Sequence, residues 1–162
     1  MSKTTWSGTR VALGAALISF GLAGSASAAD GEIGVELNRL QQMEATCRLS
    51  LVFTNRLDVT IDQLELETVL FDPDGGAMRF LVLKSQPLIP GKIRVSQYDL
   101  ADTQCSGVGS VLINDVVGCK GEGLEPATCL ARLAPSSRTD AALILTVTDQ
   151  DKTATGTAEA TQ

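Results

Sequence analysis

Four cysteines are the residues best placed for chemistry: Cys47, Cys105, Cys119 and Cys129, with separations of 58, 14 and 10 residues. A tetrathiolate zinc site needs short C-x-x-C knuckles, and a dithiol redox centre needs C-x-x-C as well. Neither spacing is present. An even number of widely spaced cysteines in an exported chain is the pattern of structural disulfides. The expected pairing is Cys119–Cys129, across a loop containing Gly121, Gly123 and Pro126, with Cys47–Cys105 as the long-range tie. Cys47–Cys129 with Cys105–Cys119 remains open.

Other constellations are poorer. The 162-residue chain has no His, so a Ser or Cys nucleophile lacks its usual base and a metal lacks its commonest ligand. Gly107-Val108-Gly109-Ser110 does not match the G-x-S-x-G elbow. Asp72-Pro73-Asp74-Gly75 resembles part of a calcium loop, but the twelfth position is Leu83 and not the closing Glu. Glu65 and Glu67 share one strand face and are expected in solvent, outside any glycosidase-like cleft. No enzyme activity, cofactor or metal is expected. The balance of 13 Lys and Arg against 19 Asp and Glu gives −6, which excludes the basic footprint of a nucleic-acid binder. With 4% aromatics, there is little to stack on a sugar ring.

Residues 1–28 carry an export signal pattern. Lys3 and Arg10 make a basic start, Val11 to Gly24 is uncharged and apolar or small, and Ala26-Ser27-Ala28 fits the cleavage rule. The expected mature chain begins at Ala29. No Arg-Arg pair precedes the apolar run. Ser25 stands where a lipoprotein box has its Cys, so no lipid anchor is expected. Losing Lys3 and Arg10 leaves 11 basic against 19 acidic side chains, a balance of −8.

The mature segment alternates with period two, the mark of strands with one buried face. Ile33, Val35 and Leu37 begin the series. Cys47, Leu49, Leu51 and Phe53 follow, placing Cys47 on the core face. Leu64, Leu66, Thr68 and Leu70 form another face, and Met78 to Lys84 returns after the Asp72–Gly76 turn. Ile93 and Val95 are expected inward with Arg94 and Ser96 outward. Val111 to Val117, Leu130 to Leu133 and Ala142 to Val147 complete the strands. Asn114 and Asp115 interrupt an apolar run, which suggests a bulge or a side-chain hydrogen bond to a neighbouring loop, with a recognition spot on an exposed edge as the sharper reading. Gln41 to Ala45 is expected to turn, Arg39 to Ala45 to hold at most one helical turn, and Leu88 and Ile89 to pack under their loop. The spacing predicts an all-β, antiparallel, disulfide-tied β-sandwich of about seven strands over residues 29–147, with a small barrel second. Residues 148–162 have no large apolar side chain and are expected to form a disordered polar tail.

Three successive segments carry a family resemblance: C-R-L-S-L-V-F-T-N from Cys47, I-D-Q-L-E-L-E-T-V-L-F-D-P-D-G from Ile61, and L-I-P-G-K-I-R-V-S-Q-Y-D-L from Leu88. This succession resembles the immunoglobulin-like β-sandwich modules of exported bacterial proteins. More narrowly, with V-L-I-N-D-V-V-G-C from Val111, it is similar to uncharacterised proteobacterial periplasmic proteins. The resemblance runs from about Leu37 to Leu133. It implies a periplasmic or secreted sandwich and no catalytic residue.

The expected function is therefore a non-catalytic interaction module that binds an envelope protein, with no nucleic acid and no membrane anchor after signal cleavage. Candidate contact residues are turn residues without a packing role: Arg56, Asp58, Asp72, Asp74 and Lys92. The alternative is a periplasmic accessory protein that binds a small ligand or calcium.

Overall fold

The computed structural model describes residues 31–146. The export signal and the polar tail expected from the sequence lie outside the described residues. Among the described residues there are eight strands: β1 Ile33–Met43, β2 Thr46–Asn55, β3 Gln63–Phe71, β4 Ala77–Ser85, β5 Ile93–Ala101, β6 Ser110–Lys120, β7 Leu133–Ser137 and β8 Ala142–Leu145. One short helix, α1, spans Pro126–Ala131, with Pro126 in its first turn, where the missing N–H costs nothing. The strands form two four-stranded sheets, ordered β5-β2-β1-β7 and β4-β3-β6-β8.

Ile33, Val35, Leu37, Cys47, Leu49, Leu51 and Phe53 of the first sheet share one buried cluster with Leu64, Leu66, Leu70, Val111, Ile113 and Val116 of the second. Each fully buried Leu or Ile contributes about 2 kcal/mol of hydrophobic stabilisation. Thr68 sits among them, its hydroxyl donating to the Leu81 carbonyl at 3.3 Å.

The sheets are mixed, which corrects the expected antiparallel arrangement. β7 runs parallel to β1 and β8 parallel to β6. The cause lies in α1. It reverses the chain where β6 ends, so β7 starts beside Ile33, where β1 also starts. Residues 138–141 then cross to the other sheet, and β8 starts beside Ser110. The expected strand at Leu130–Leu133 is in fact the end of α1 and the start of β7.

Three further expectations are corrected. β1 continues to Met43, with the reversal at Glu44, φ 45°. A bulge between Leu37 and Arg39 breaks the alternation, and beyond it Leu40 packs against the core among the polar Arg39, Gln41 and Gln42, which hides the strand signal. Ile93 and Val95 point outward, 63% and 59% exposed. In an antiparallel pair, directly opposite residues share a face. Leu100, Tyr98, Ser96 and Arg94 lie opposite Cys47, Leu49, Leu51 and Phe53, so they face the core instead. Leu88 is fully buried, but Ile89 is exposed.

β6 solves a patterning problem with two bulges. Asn114 and Val117 are extra residues with no partner on β3. Each bulge inverts the alternation that follows it. Ile113 is therefore buried, Asp115 exposed, Val116 buried and Cys119 again buried. Without them, Asp115 would lie opposite Leu66, inside the core.

Candidate interaction surface

Cys47 is bonded to Cys105, with Cα atoms 5.0 Å apart, and Cys119 to Cys129, with Cα atoms 6.5 Å apart. Cys47 and Cys129 are fully buried, so these bonds tie strands to loops and expose no reactive thiol. The first fixes the 105–107 helical turn to β2, and the second fixes α1 to β6. Disulfides belong to oxidising compartments and not to the cytoplasm. Among the described residues, no helix is long and apolar enough to cross a membrane.

The five candidate contact residues divide between opposite ends of the fold. Arg56, Asp58 and Lys92 lie on the loops after β2 and β4. Asp72 and Asp74 lie on the turn between β3 and β4, at the other end. Arg56 forms an ion pair with Glu32. The Lys92 carbonyl accepts the Asn55 N–H at 3.0 Å. Asp72 is committed to its own turn: Oδ1 accepts the N–H groups of Asp74 at 3.0 Å and Gly76 at 2.7 Å. Gly75 supplies the positive φ of 84° that the turn requires. Gly109 packs so close that a Cβ there would meet the Asp72 carbonyl oxygen at 2.6 Å.

Asn55, the last residue of β2, holds the first end together. It is fully buried, and its Nδ2 donates to the carbonyls of Val59 at 2.9 Å and Leu88 at 2.8 Å. Its Oδ1 accepts the Leu57 N–H at 2.9 Å. An Asn closing an alternating strand before a loop is the signal that could have found it.

A surface with no expected role stands out on the second sheet. Register places Phe80 opposite Val69, Val69 opposite Leu112, and Leu112 opposite Ile144. These four form an apolar row across the outer face of all four strands. Phe80 is 70% and Ile144 46% exposed. Met78 and Val82 flank the row on β4, the latter 49% exposed. Beyond Val82 the face becomes polar. Lys84 Nζ lies 2.8 Å from Glu65 Oε1, and Asn114 Nδ2 donates to Glu67 Oε1 at 2.6 Å. The hydrogen bond from Lys84 holds the Glu65 carboxyl below the usual carboxylate range.

β4 is also an edge strand, with β3 on one side only. The Leu81 carbonyl faces β3, and the Lys84 carbonyl faces the free side, where it accepts the Tyr98 hydroxyl at 2.8 Å. Burial pushes the pKa of that hydroxyl up, which keeps it a donor. By strand alternation the N–H and C=O groups of Phe80 and Val82 also point to the free side.

No protein-family model matches the chain. No curated protein matches it either. Among solved structures, the chain is similar to IrmA from Escherichia coli, with a TM-score of 0.49 and 12% identity over 65% of this chain and 91% of that one.

An open depression of 540 Å³ lies near the Cys47–Cys105 bond, lined by Leu40, Cys105, Ser106, Val108, Arg138 and Asp140 among others. It offers no aromatic face. Its two opposite charges, Arg138 and Asp140, suit water better than an apolar ligand.

Proposed function

We propose that this chain is a non-catalytic, exported β-sandwich of the immunoglobulin-like kind that binds a protein partner in the bacterial cell envelope. The observation that carries this reading is the apolar row Phe80–Val69–Leu112–Ile144 on the outer face of a sheet. Single exposed apolar residues are ordinary, but a row with exposed ends at Phe80 and Ile144, joined through the covered Val69 and bordered on one side by the Lys84–Glu65 ion pair, marks an interaction surface. The two disulfides support a periplasmic or secreted location. The sequence pattern of residues 1–28 and the resemblance from Cys47 to Leu100 point the same way. The calcium alternative is weakened by Asp72, whose Oδ1 already accepts two N–H donors.

The test is affinity capture from envelope extract with three baits: wild type, Ile144→Lys, and a group substitution of Arg56, Asp58, Asp72, Asp74 and Lys92. A partner kept by wild type and lost by Ile144→Lys supports the apolar face. A partner lost only by the group substitution moves the contact to the loops. No partner, with micromolar binding of calcium or a metabolite instead, replaces the interaction module by the accessory binder.

A further inference from the structure

We propose that the free edge of β4 pairs antiparallel with β4 of a second copy of this chain, about a twofold axis passing beside Phe80. This deepens the interaction-module reading and rests on its premise that the β4-β3-β6-β8 sheet is a contact surface.

The free side of the edge is a short window. At one end it stops at Lys84, whose carbonyl is occupied by the Tyr98 hydroxyl. At the other the strand runs into the turn, where Gly76 bonds to Asp72 across the hairpin, on the β3 side. Phe80 and Val82 lie between, and a twofold axis needs a centre about which each position meets its mirror position on the partner.

Three registers keep outward-facing residues opposite one another, and their chemistry differs. A centre at Leu81 places Met78 opposite Lys84 of the copy. A centre at Val82 places Phe80 opposite that Lys84. A centre at Phe80 places Phe80 opposite Phe80 and Val82 opposite Met78, apolar against apolar at both positions. In that register the row Ile144–Leu112–Val69–Phe80 continues without a break into its twofold copy across eight strands. The two Arg79 side chains fall on the other face, so no like charges meet at the seam.

Natural sheets protect their edges with inward charges, proline or bulges, and an apolar edge left bare is a pairing template. β4 carries a bulge at Met78 and a charge, Arg79, on the core-side face, but no proline, and Phe80 and Val82 beyond them are apolar and exposed. Met78, Phe80 and Val82 leave on the order of 300 Å² of apolar side chain in water per copy. With the backbone seam, the buried total reaches about 1,000 Å², at the low end of specific interfaces. A dimer of that size is weak and reversible.

The experiment is sedimentation equilibrium of the protein expressed from its full sequence, from about 1 to 100 μM, together with amide hydrogen exchange at both ends of that range. A doubling of mass with concentration is expected, with slower exchange of the Phe80 and Val82 N–H groups in the dimer. Phe80→Lys should weaken self-association at least about tenfold, and Val95→Lys, on the exposed face of β5, should leave it unchanged. A wild type that stays monomeric to 100 μM overturns the inference. So does a dimer that survives Phe80→Lys or loses its mass with Val95→Lys. An envelope partner captured by a monomeric wild type would refute the paired edge and leave the interaction-module reading standing. A dimer that captures nothing does the reverse.

Discussion

Asn55 Nδ2 donates a hydrogen bond to the carbonyl of Leu88 at 2.8 Å, between two fully buried residues 33 positions apart. It locks the loop after β2 to the loop after β4. The Ile61 N–H shares the same Leu88 carbonyl at 2.9 Å, and the Asn55 backbone bonds to Gly91 and Lys92. One side chain thus positions three of the candidate contact residues.

Asn55→Ala should therefore cost about 3 kcal/mol, because it leaves the buried Leu57 N–H and the half-buried Val59 carbonyl without this partner. Chemical denaturation measures it, and the expected signature is a lower midpoint with an unchanged slope. A loss below about 1 kcal/mol would show that water replaces the amide.

Reduction should destabilise the fold strongly. In the chain-entropy model the 58-residue separation of Cys47 and Cys105 is worth about 4 kcal/mol, and the 10-residue separation of Cys119 and Cys129 about 2.5 kcal/mol. Cys47→Ala/Cys105→Ala should thus lower the melting temperature more than Cys119→Ala/Cys129→Ala. Thiol titration of denatured, unreduced protein should find no reactive group.

The β6 bulges make an unusual pair of predictions for neighbouring valines. Val116 is 1% exposed, so Val116→Asp should cost at least about 3 kcal/mol and abolish folding in thermal melts. Val117 is an extra residue on the outer face, and Val117→Asp should fall within about 0.5 kcal/mol of wild type. The reverse order would mean that the strand runs without bulges.

Acid should destabilise the protein modestly through its paired carboxylates. Lys84 holds Glu65 down by a hydrogen bond, Arg48 does the same to Asp99, and Asn38 followed by Arg138 does so to Glu36. A lowered folded-state pKa gives stability that is present above the unfolded value, about 4, and is lost as pH falls through the folded value. The melting temperature should be flat from about pH 8 to 5 and fall below about pH 4. Lys84→Met should make that fall shallower, and 1 M salt should shrink the difference, since these pairs are exposed.

The sequence by itself determined the covalent and local features of this protein. Period-two alternation placed Cys47, Leu49, Leu51 and Phe53 on one face, because a strand side chain has only two directions. Asp72-Pro73-Asp74-Gly75-Gly76 defined a turn, because proline fixes φ and glycine alone adopts positive φ without strain. Cysteine spacing excluded zinc knuckles and favoured disulfides. Only the tertiary structure decided what depends on neighbours. Whether Ile93 or Arg94 faces the core follows from the register with β2, which no residue of β5 encodes alone. The parallel placement of β7 and β8 follows from where α1 and residues 138–141 return the chain. The apolar row from Phe80 to Ile144 draws one residue from each of four strands, 64 positions apart at its ends, and exists only once hydrogen bonding has aligned them.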